Sequence, residues 1–409
     1  MKNAFSLLGS LAKGGTFVAL LAAASCATKD NEAVVPAVPE ALSQAADAVL
    51  ATGEVTKAGT TWTARVNGTT RYTGPDMIAA IQAAVNNLTA GRTTKETVSI
   101  RNSGDTGPDA GTIKAVNIPS YTILNFNGTT MNVTDTGDKL IVPVQAERRT
   151  DIEIRNLRVT GNPRYGIWLK SCTNIVLSQI TMSFSNGGFL GIRVDDSKGT
   201  PSKNLSIDNA NVSGCLDNAV ETYGVDGFTI GTITTSNTGA CGLLLNKSKN
   251  GTVGTVNATR ANYGGGYAAF RVANSCGPNI TVGKVIAREC GRGFFSVSGS
   301  NGVTVNSVDI IGSSSHGILI EDSQNINVKA GTISNCGAEG VRITSRTSTE
   351  FLPSQQVTVQ SLRVSGCTYG VRETTPRTNR NRILNNNLTG NGTSLFYQGA
   401  GTVATGNTQ

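Results

Sequence analysis

From about Asn117 onward a short pattern returns roughly every 22 to 30 residues, and a period of that length restricts the chain to a repeat architecture. Each unit holds a Gly- or Ala-led apolar strand, a polar turn and an Asn-led apolar strand. The first kind recurs as Gly166-Ile-Trp-Leu169, Gly191-Ile-Arg-Val194, Ala219-Val-Glu-Thr222, Gly242-Leu-Leu-Leu245, Ala269-Phe-Arg-Val272, Gly317-Ile-Leu-Ile320, Gly340-Val-Arg-Ile343 and Gly370-Val-Arg-Glu373. The second recurs as Asn174-Ile-Val-Leu177, Asn204-Leu-Ser-Ile207, Asn279-Ile-Thr-Val282 and Asn325-Ile-Asn-Val328. Alternation with period two sends the apolar members inward and the residue between them outward. One such unit cannot bury its own apolar face, but stacked units share a continuous core. The expected fold is therefore all-β: a single-stranded, right-handed parallel β-helix with a small N-terminal capping region that contains a helix. A leucine-rich repeat would need Leu at several fixed places and helical spacing on its outer side, and neither occurs.

The region ahead of the repeats reads differently. A hairpin is expected over 61–66 and 69–72 around Asn67-Gly68, followed by a helix over 76–85 capped by Thr73 or Asp76. A helix laid over the first coil would shield an open sheet edge, and the Asn-rich tail would do so at the other end. The expected organisation is a signal segment over 1–25, a tether over 26–46, a cap over 47–116, the solenoid over 117–395 and a C-terminal cap over 396–409.

Lys2 and Lys13 precede an apolar run that ends in Ala24-Ser25-Cys26, the layout of a secretory signal. Cys26 after small residues resembles the lipobox of bacterial lipoproteins, which implies lipidation at Cys26, and the Lys29, Asp30 and Glu32 that follow resemble their surface-export tag. The expected location is the outer membrane or cell surface, with the periplasm or secretion as the alternative and a lipid anchor as the sole membrane contact. Losing the first 25 residues with Lys2 and Lys13 would lower the formal charge from +8 to +6, which favours an anionic partner. With aromatic residues at 5%, an exported chain points to acidic polysaccharide and not to nucleic acid. A monomer is expected.

Of the 8 cysteines, Cys215, Cys290 and Cys336 hold equivalent places in coils that are not neighbours. At about 4.8 Å per coil the nearest of these lie roughly 10 Å apart, beyond disulfide reach. Buried free thiols are expected. No cofactor and no metal site is expected, since no Asp-rich coordinating loop stands out.

Aligning the first strands reveals outward columns. One reads Trp168, Arg193, Glu221, Leu244 and Arg271, then Leu319 and Arg342 after a shifted coil. The next reads Lys170, Asp195, Tyr223, Asn246, Ala273, Glu321 and Thr344. Asp217, Asn218, Tyr267, Arg292 and His316 lie just ahead of the strands. A β-helix does not need such a charged and aromatic cluster to fold. Asp195 and Glu221, one coil apart and two residues offset, should have Cβ atoms roughly 8 Å apart, within the range of inverting glycosidases. Asp217 could act as acid if its surroundings raise its pKa.

The Asn-led turns resemble the asparagine ladder of pectate lyases, and residues 117–275 resemble polygalacturonases, the pectin-hydrolysing β-helix enzymes. Gly214-Cys-Leu-Asp217-Asn218 stands where that family has paired aspartates, and Ala269-Phe-Arg271-Val272 where it has a substrate-binding arginine. The resemblance implies that Asp217 donates a proton and that Arg271 binds substrate. Asn218, Ala273, Leu190 and Cys241 replace four other family residues, so the water-activating carboxylates are absent. Ser315-His316-Gly317 looks like the family's Gly-His-Gly.

The expected function is hydrolysis of a uronic-acid-containing, pectin-type polysaccharide with catalytic Asp217, Glu221 and Asp195. Arg193, Tyr223, Asn246, Tyr267, Arg271, Arg292 and His316 are the expected substrate-binding residues. Two alternatives remain open: a polysaccharide lyase with Tyr223, an arginine or a lysine as base, and a non-catalytic carbohydrate-binding solenoid.

Overall fold

The inward members of successive repeats stack in single file. Ile167, Ile192, Val220, Leu243, Phe270, Phe294, Ile318, Val341, Val371 and Leu395 pair in order through parallel strands. All but Leu395 are buried to the last percent, and the Phe270 and Phe294 rings stack at 5.4 Å. The computed structural model describes residues 50–134, 139–185 and 187–409. Twelve parallel strands, from Lys114–Asn117 to Thr393–Phe396, make one face of a right-handed β-solenoid, and a 22-stranded sheet makes the rest of its wall. The expected signal segment, Cys26 and the tether lie outside the described residues.

Turn chemistry sets the corner between the faces. Asn174, Asn204, Asn250, Asn279 and Asn325 all have φ between 54° and 61°, in the left-handed region that Asn tolerates. Asn204 donates to Asn174 at 2.9 Å and Asn279 to Asn250 at 3.0 Å, so the expected ladder forms. Gly227 and Gly302 fill two places of the same column with φ of 83° and 67°.

The register also explains the coil that looked shifted. Arg292–Ser296 is in step, with Phe295 between Arg271 and Leu319. Its alternation is disguised because Phe295 points outward while Ser296 points inward and bonds to Ser323 at 2.9 Å.

At the N-terminal end the hairpin pairs Thr61–Val66 with Thr69–Gly74, and Asp76 caps the helix Met77–Asn86 by accepting from the Ala79 amide at 3.0 Å. Gln82 on that helix acts as a substitute strand. Its Oε1 accepts from the Asn117 amide at 2.7 Å and its Nε2 donates to the Asn117 carbonyl at 3.2 Å, which satisfies the edge of the 12-stranded sheet. Parallel pairing begins ahead of residue 117, where Thr52–Ala58 joins Glu96–Ile100, and continues past 395 to Val403–Thr405. Near the C-terminal end Asn386 and Asn391 accept from the Leu362 and Cys367 amides at 2.9 and 3.0 Å.

Seven described cysteines are free and buried. Cys336 and Cys367 are stacked neighbours, because Ser334 pairs with Ser365 two residues before them. The expectation of separated thiols overlooked Cys367. With no disulfide to break among the described residues, the melting temperature is expected to move by less than about 2 °C in reductant. A large drop would contradict that.

Candidate functional site

The side chains that point out of the 12-stranded sheet form three columns, fixed by strand register. Trp168, Arg193, Glu221, Leu244 and Arg271 follow one another in the first. Lys170, Asp195, Tyr223, Asn246 and Ala273 follow in the second. The third column runs through Tyr165, Leu190, Ala268 and Arg292, the first residues of their strands, and through Asn218 and Cys241, each two residues ahead of its strand.

Arg193 is the hub of the cluster. Its Nε lies 2.8 Å from both oxygens of Asp195, and its Nη1 donates to Glu221 Oε2 at 3.2 Å. Trp168 Nε1 donates to Asp195 at 2.8 Å, Asn218 to Glu221 Oε2 at 3.2 Å, and Asn246 to Glu221 Oε1 at 3.5 Å. Asn218 in turn accepts from the Cys241 amide at 2.9 Å, which fixes its orientation. Asp195 and Glu221 are 7% and 5% exposed although both sit on the outer face, because their partners cover them.

This packing shifts the acids. Burial pushes the Glu221 carboxyl up, Arg193 and Asn246 oppose it, and the charges of Asp195 and Asp217 add to it. Burial also raises Asp217, against the Asn218 amide and Arg193. Asp217 is half-buried and enters no ion pair among the described residues. Burial works against the charge of Arg193, but Asp195 and Glu221 outweigh it and raise its pKa. Two carboxyls paired to one arginine thus stand beside a third, Asp217, that burial raises and that has no ion pair among the described residues, an arrangement acid catalysis can use.

The structure brings Arg193, Asp195, Glu221 and Asn246 into contact, with Tyr223 beside Asp195 and Asp217 at the head of the Glu221 strand. Tyr267, Arg271 and Arg292 form a second group around Phe295. His316 belongs to neither. It is buried four strands beyond Glu221, with Nδ1 2.9 Å from Glu339 Oε2, and Arg372 and Arg342 approach the same carboxylate at 3.2 and 3.7 Å. Leu190 and Cys241, which stand in place of a family aspartate and histidine, are fully buried, and the Cys241 thiol is pushed up to about 12 by burial. Trp168 and Asn218 were visible as column members in the sequence. Their bonds to the carboxylates required the rotamers.

Burial opposes the charge of Glu339, but His316 and Arg342 outweigh it and hold the carboxyl at about 2. A depressed carboxyl stabilises the fold above its unfolded pKa, and that contribution is lost as pH falls from about 4.5 toward 2. Its size is on the order of 3 kcal/mol. Denaturation of the wild type and Glu339→Gln is expected to differ by the full amount above about pH 5 and to converge only below about pH 2.

Comparison with known proteins places this geometry on a familiar scaffold. A family model described as a periplasmic copper-binding protein (NosD) matches residues 216–408, a little under half the chain. Among the described residues no group of three or more His, Cys, Asp or Glu could hold a metal ion. No curated protein sequence matches. The A-module of the Azotobacter vinelandii mannuronan C-5 epimerase AlgE4 superposes with a TM-score of 0.65 at 15% identity, covering 80% of this chain and 96% of that one. The A-module of AlgE6 from the same organism gives 0.56 at 16%, covering 81% and 95%. The catalytic domain of a GH87 α-1,3-glucanase gives 0.53 at 14%, covering 80% and 67%. At these identities the likeness is one of fold, and the chain has the right-handed parallel β-helix of the pectate-lyase-like kind.

Proposed function

We propose that the protein is an exported enzyme that hydrolyses a uronic-acid-containing polysaccharide on the outer face of the 12-stranded sheet. The observation that carries this reading is the cluster of three carboxyls on one outer face: Asp195 and Glu221 both held by Arg193, and Asp217 without an ion pair among the described residues, with burial raising Glu221 and Asp217. Asp217, the one without an ion pair among the described residues, donates the proton to the departing sugar oxygen. Glu221, as the carboxylate, takes the proton of the water that attacks the anomeric carbon, and Arg193 holds Glu221 and Asp195 in place. Export is supported by the signal-like N-terminus and by the periplasmic description of the matching family model.

A second reading has one specific support. Tyr223 lies beside Asp195 with Lys247 Nζ 5.9 Å from its ring centroid, a tyrosine and a cation near where a uronate would sit. Removal of the proton α to the uronate carboxylate by Tyr223 would give a lyase, and fold neighbours that are C-5 epimerases of a uronate polymer support such chemistry.

Incubation with pectins, alginate and glycosaminoglycans, followed by analysis of the products, separates the readings. Hydrolysis yields new reducing ends without ultraviolet absorbance. Unsaturated, absorbing products would replace it with the lyase, and binding without any product would leave a carbohydrate-binding solenoid.

A further inference from the structure

From the strand next to Glu221 onward the outer face changes character. Leu244, Ala268, Phe295, Val297 and Leu319 belong to an apolar cluster separate from the solenoid core. Arg271 and Arg292 lie on this strip, their guanidinium carbons 5.0 and 4.6 Å from the centroid of the one Phe295 ring. Tyr267, 42% exposed, flanks Arg271 at 5.1 Å.

Like charges repel, and the nearest acids are bound to other cations. Glu321 lies 3.5 Å from Arg346, Glu339 is shared by His316, Arg342 and Arg372, and Glu221 is held by Arg193. Neither Arg271 nor Arg292 enters an ion pair among the described residues, and the Nε of each is buried without a hydrogen-bond partner. Burial lowers the pKa of Arg292, with Glu321 opposing and Arg271 and Arg342 adding to the effect. Two forked cations on an apolar floor match a ligand with a planar oxyanion attached to an apolar ring face.

We infer that Arg271 and Arg292, packed over the buried Phe295 ring, form an oxyanion clamp beside the exposed Tyr267 that takes the carboxylate or sulfate of one sugar in an acidic glycan. The clamp is roughly 10 to 14 Å from Glu221 along the solenoid axis, at about 4.8 Å per strand. The glycan therefore crosses the strands instead of running along them. The inference rests on the proposed function only in taking the ligand to be a glycan.

Calorimetric titration tests it, with trigalacturonate, its neutral methyl ester, a sulfated trisaccharide and inorganic sulfate as probes. At least one acidic trisaccharide is expected to bind, and the methyl ester about tenfold more weakly or not at all. Arg292→Gln and Arg271→Gln should each weaken the acidic ligand at least about tenfold, and Arg292→Lys by less, because it keeps the charge and loses the fork. Arg260→Gln, at a surface pair with Glu289, should bind as the wild type does. Unchanged melting temperatures exclude misfolding, and a variant that melts early is judged by Arg292→Lys. Equal affinity in the arginine variants, equal affinity for the methyl ester, or binding of inorganic sulfate without either acidic glycan would overturn the clamp. Arginine-dependent binding with no cleavage keeps the clamp and removes the hydrolase, and cleavage with arginine-independent binding does the reverse.

Discussion

Glu221→Gln is expected to lower turnover on the cleaved polysaccharide by a factor of about 100 or more, the scale of lost acid or base catalysis. Its stability should stay within about 1 kcal/mol of wild type. The two halves of this expectation have one cause. Burial raises the Glu221 carboxyl, so relative to the unfolded chain the fold favours its neutral form. A raised carboxyl contributes stability below its unfolded pKa and loses it as pH rises through the folded one. A neutral amide of the same size is therefore tolerated near neutrality, and Arg193 keeps Asp195 as a partner. Steady-state kinetics with denaturant melts separate the outcomes. Full turnover in Glu221→Gln would make the residue a structural member of an ion-paired network. Asp217→Asn resolves which acid gives the proton, since it should slow polysaccharide with its poor leaving groups far more than activated aryl glycosides. The alkaline limb of kcat/KM should lie above the ordinary carboxylate range, because Asp217 is raised.

The second large effect concerns stability. Glu373 occupies an inward place in its strand and is fully buried. Its Oε1 accepts from Thr378 at 2.7 Å, Asn381 at 2.7 Å and Thr402 at 3.0 Å, and its Oε2 from the Gln398 and Gly399 amides at 3.2 and 2.8 Å. These bonds fasten the last turns of chain onto the coil before them. A Cβ at Gly399 would lie 2.3 Å from Glu373 Oε1, so glycine is required for the close approach. Glu373→Leu removes the acceptor of five donors, of which Thr378 and Asn381 are fully buried, and is expected to cost about 3 to 5 kcal/mol. Urea denaturation measures this directly. A loss below about 1 kcal/mol would show that water satisfies the donors equally well.

Glu373 also marks where the sequence stops being informative. The period, the inward apolar columns and the Asn corner follow from local pattern, because each repeat meets its neighbour in the same register. For the same reason Arg193, Glu221, Leu244 and Arg271 could be placed in consecutive coils from the sequence. Glu373 and Ser296 break the pattern at inward places, and their partners come from other coils, so alternation alone cannot find them. Cys367 escaped because the repeat after Cys336 is longer than its neighbours, with residues 345–357 interposed between successive strands. In the site, column membership was legible but bonding was not. Whether Arg193 reaches Asp195, Glu221 or both is a rotamer question, and so is the pairing of His316 with Glu339, which removes the histidine from the carboxyl cluster.

Binding and cleavage of acidic polysaccharide at the outer face of the 12-stranded sheet is tested by a crystal structure of Glu221→Gln with an uncleaved oligosaccharide of the best substrate. A sugar is expected over the strands Leu190–Asp195 and Val220–Tyr223, with its glycosidic oxygen within hydrogen-bond reach of Asp217 and an acid group toward Arg271. An oligosaccharide bound on another face of the solenoid, or over this face with its glycosidic oxygen remote from Asp217, would contradict it.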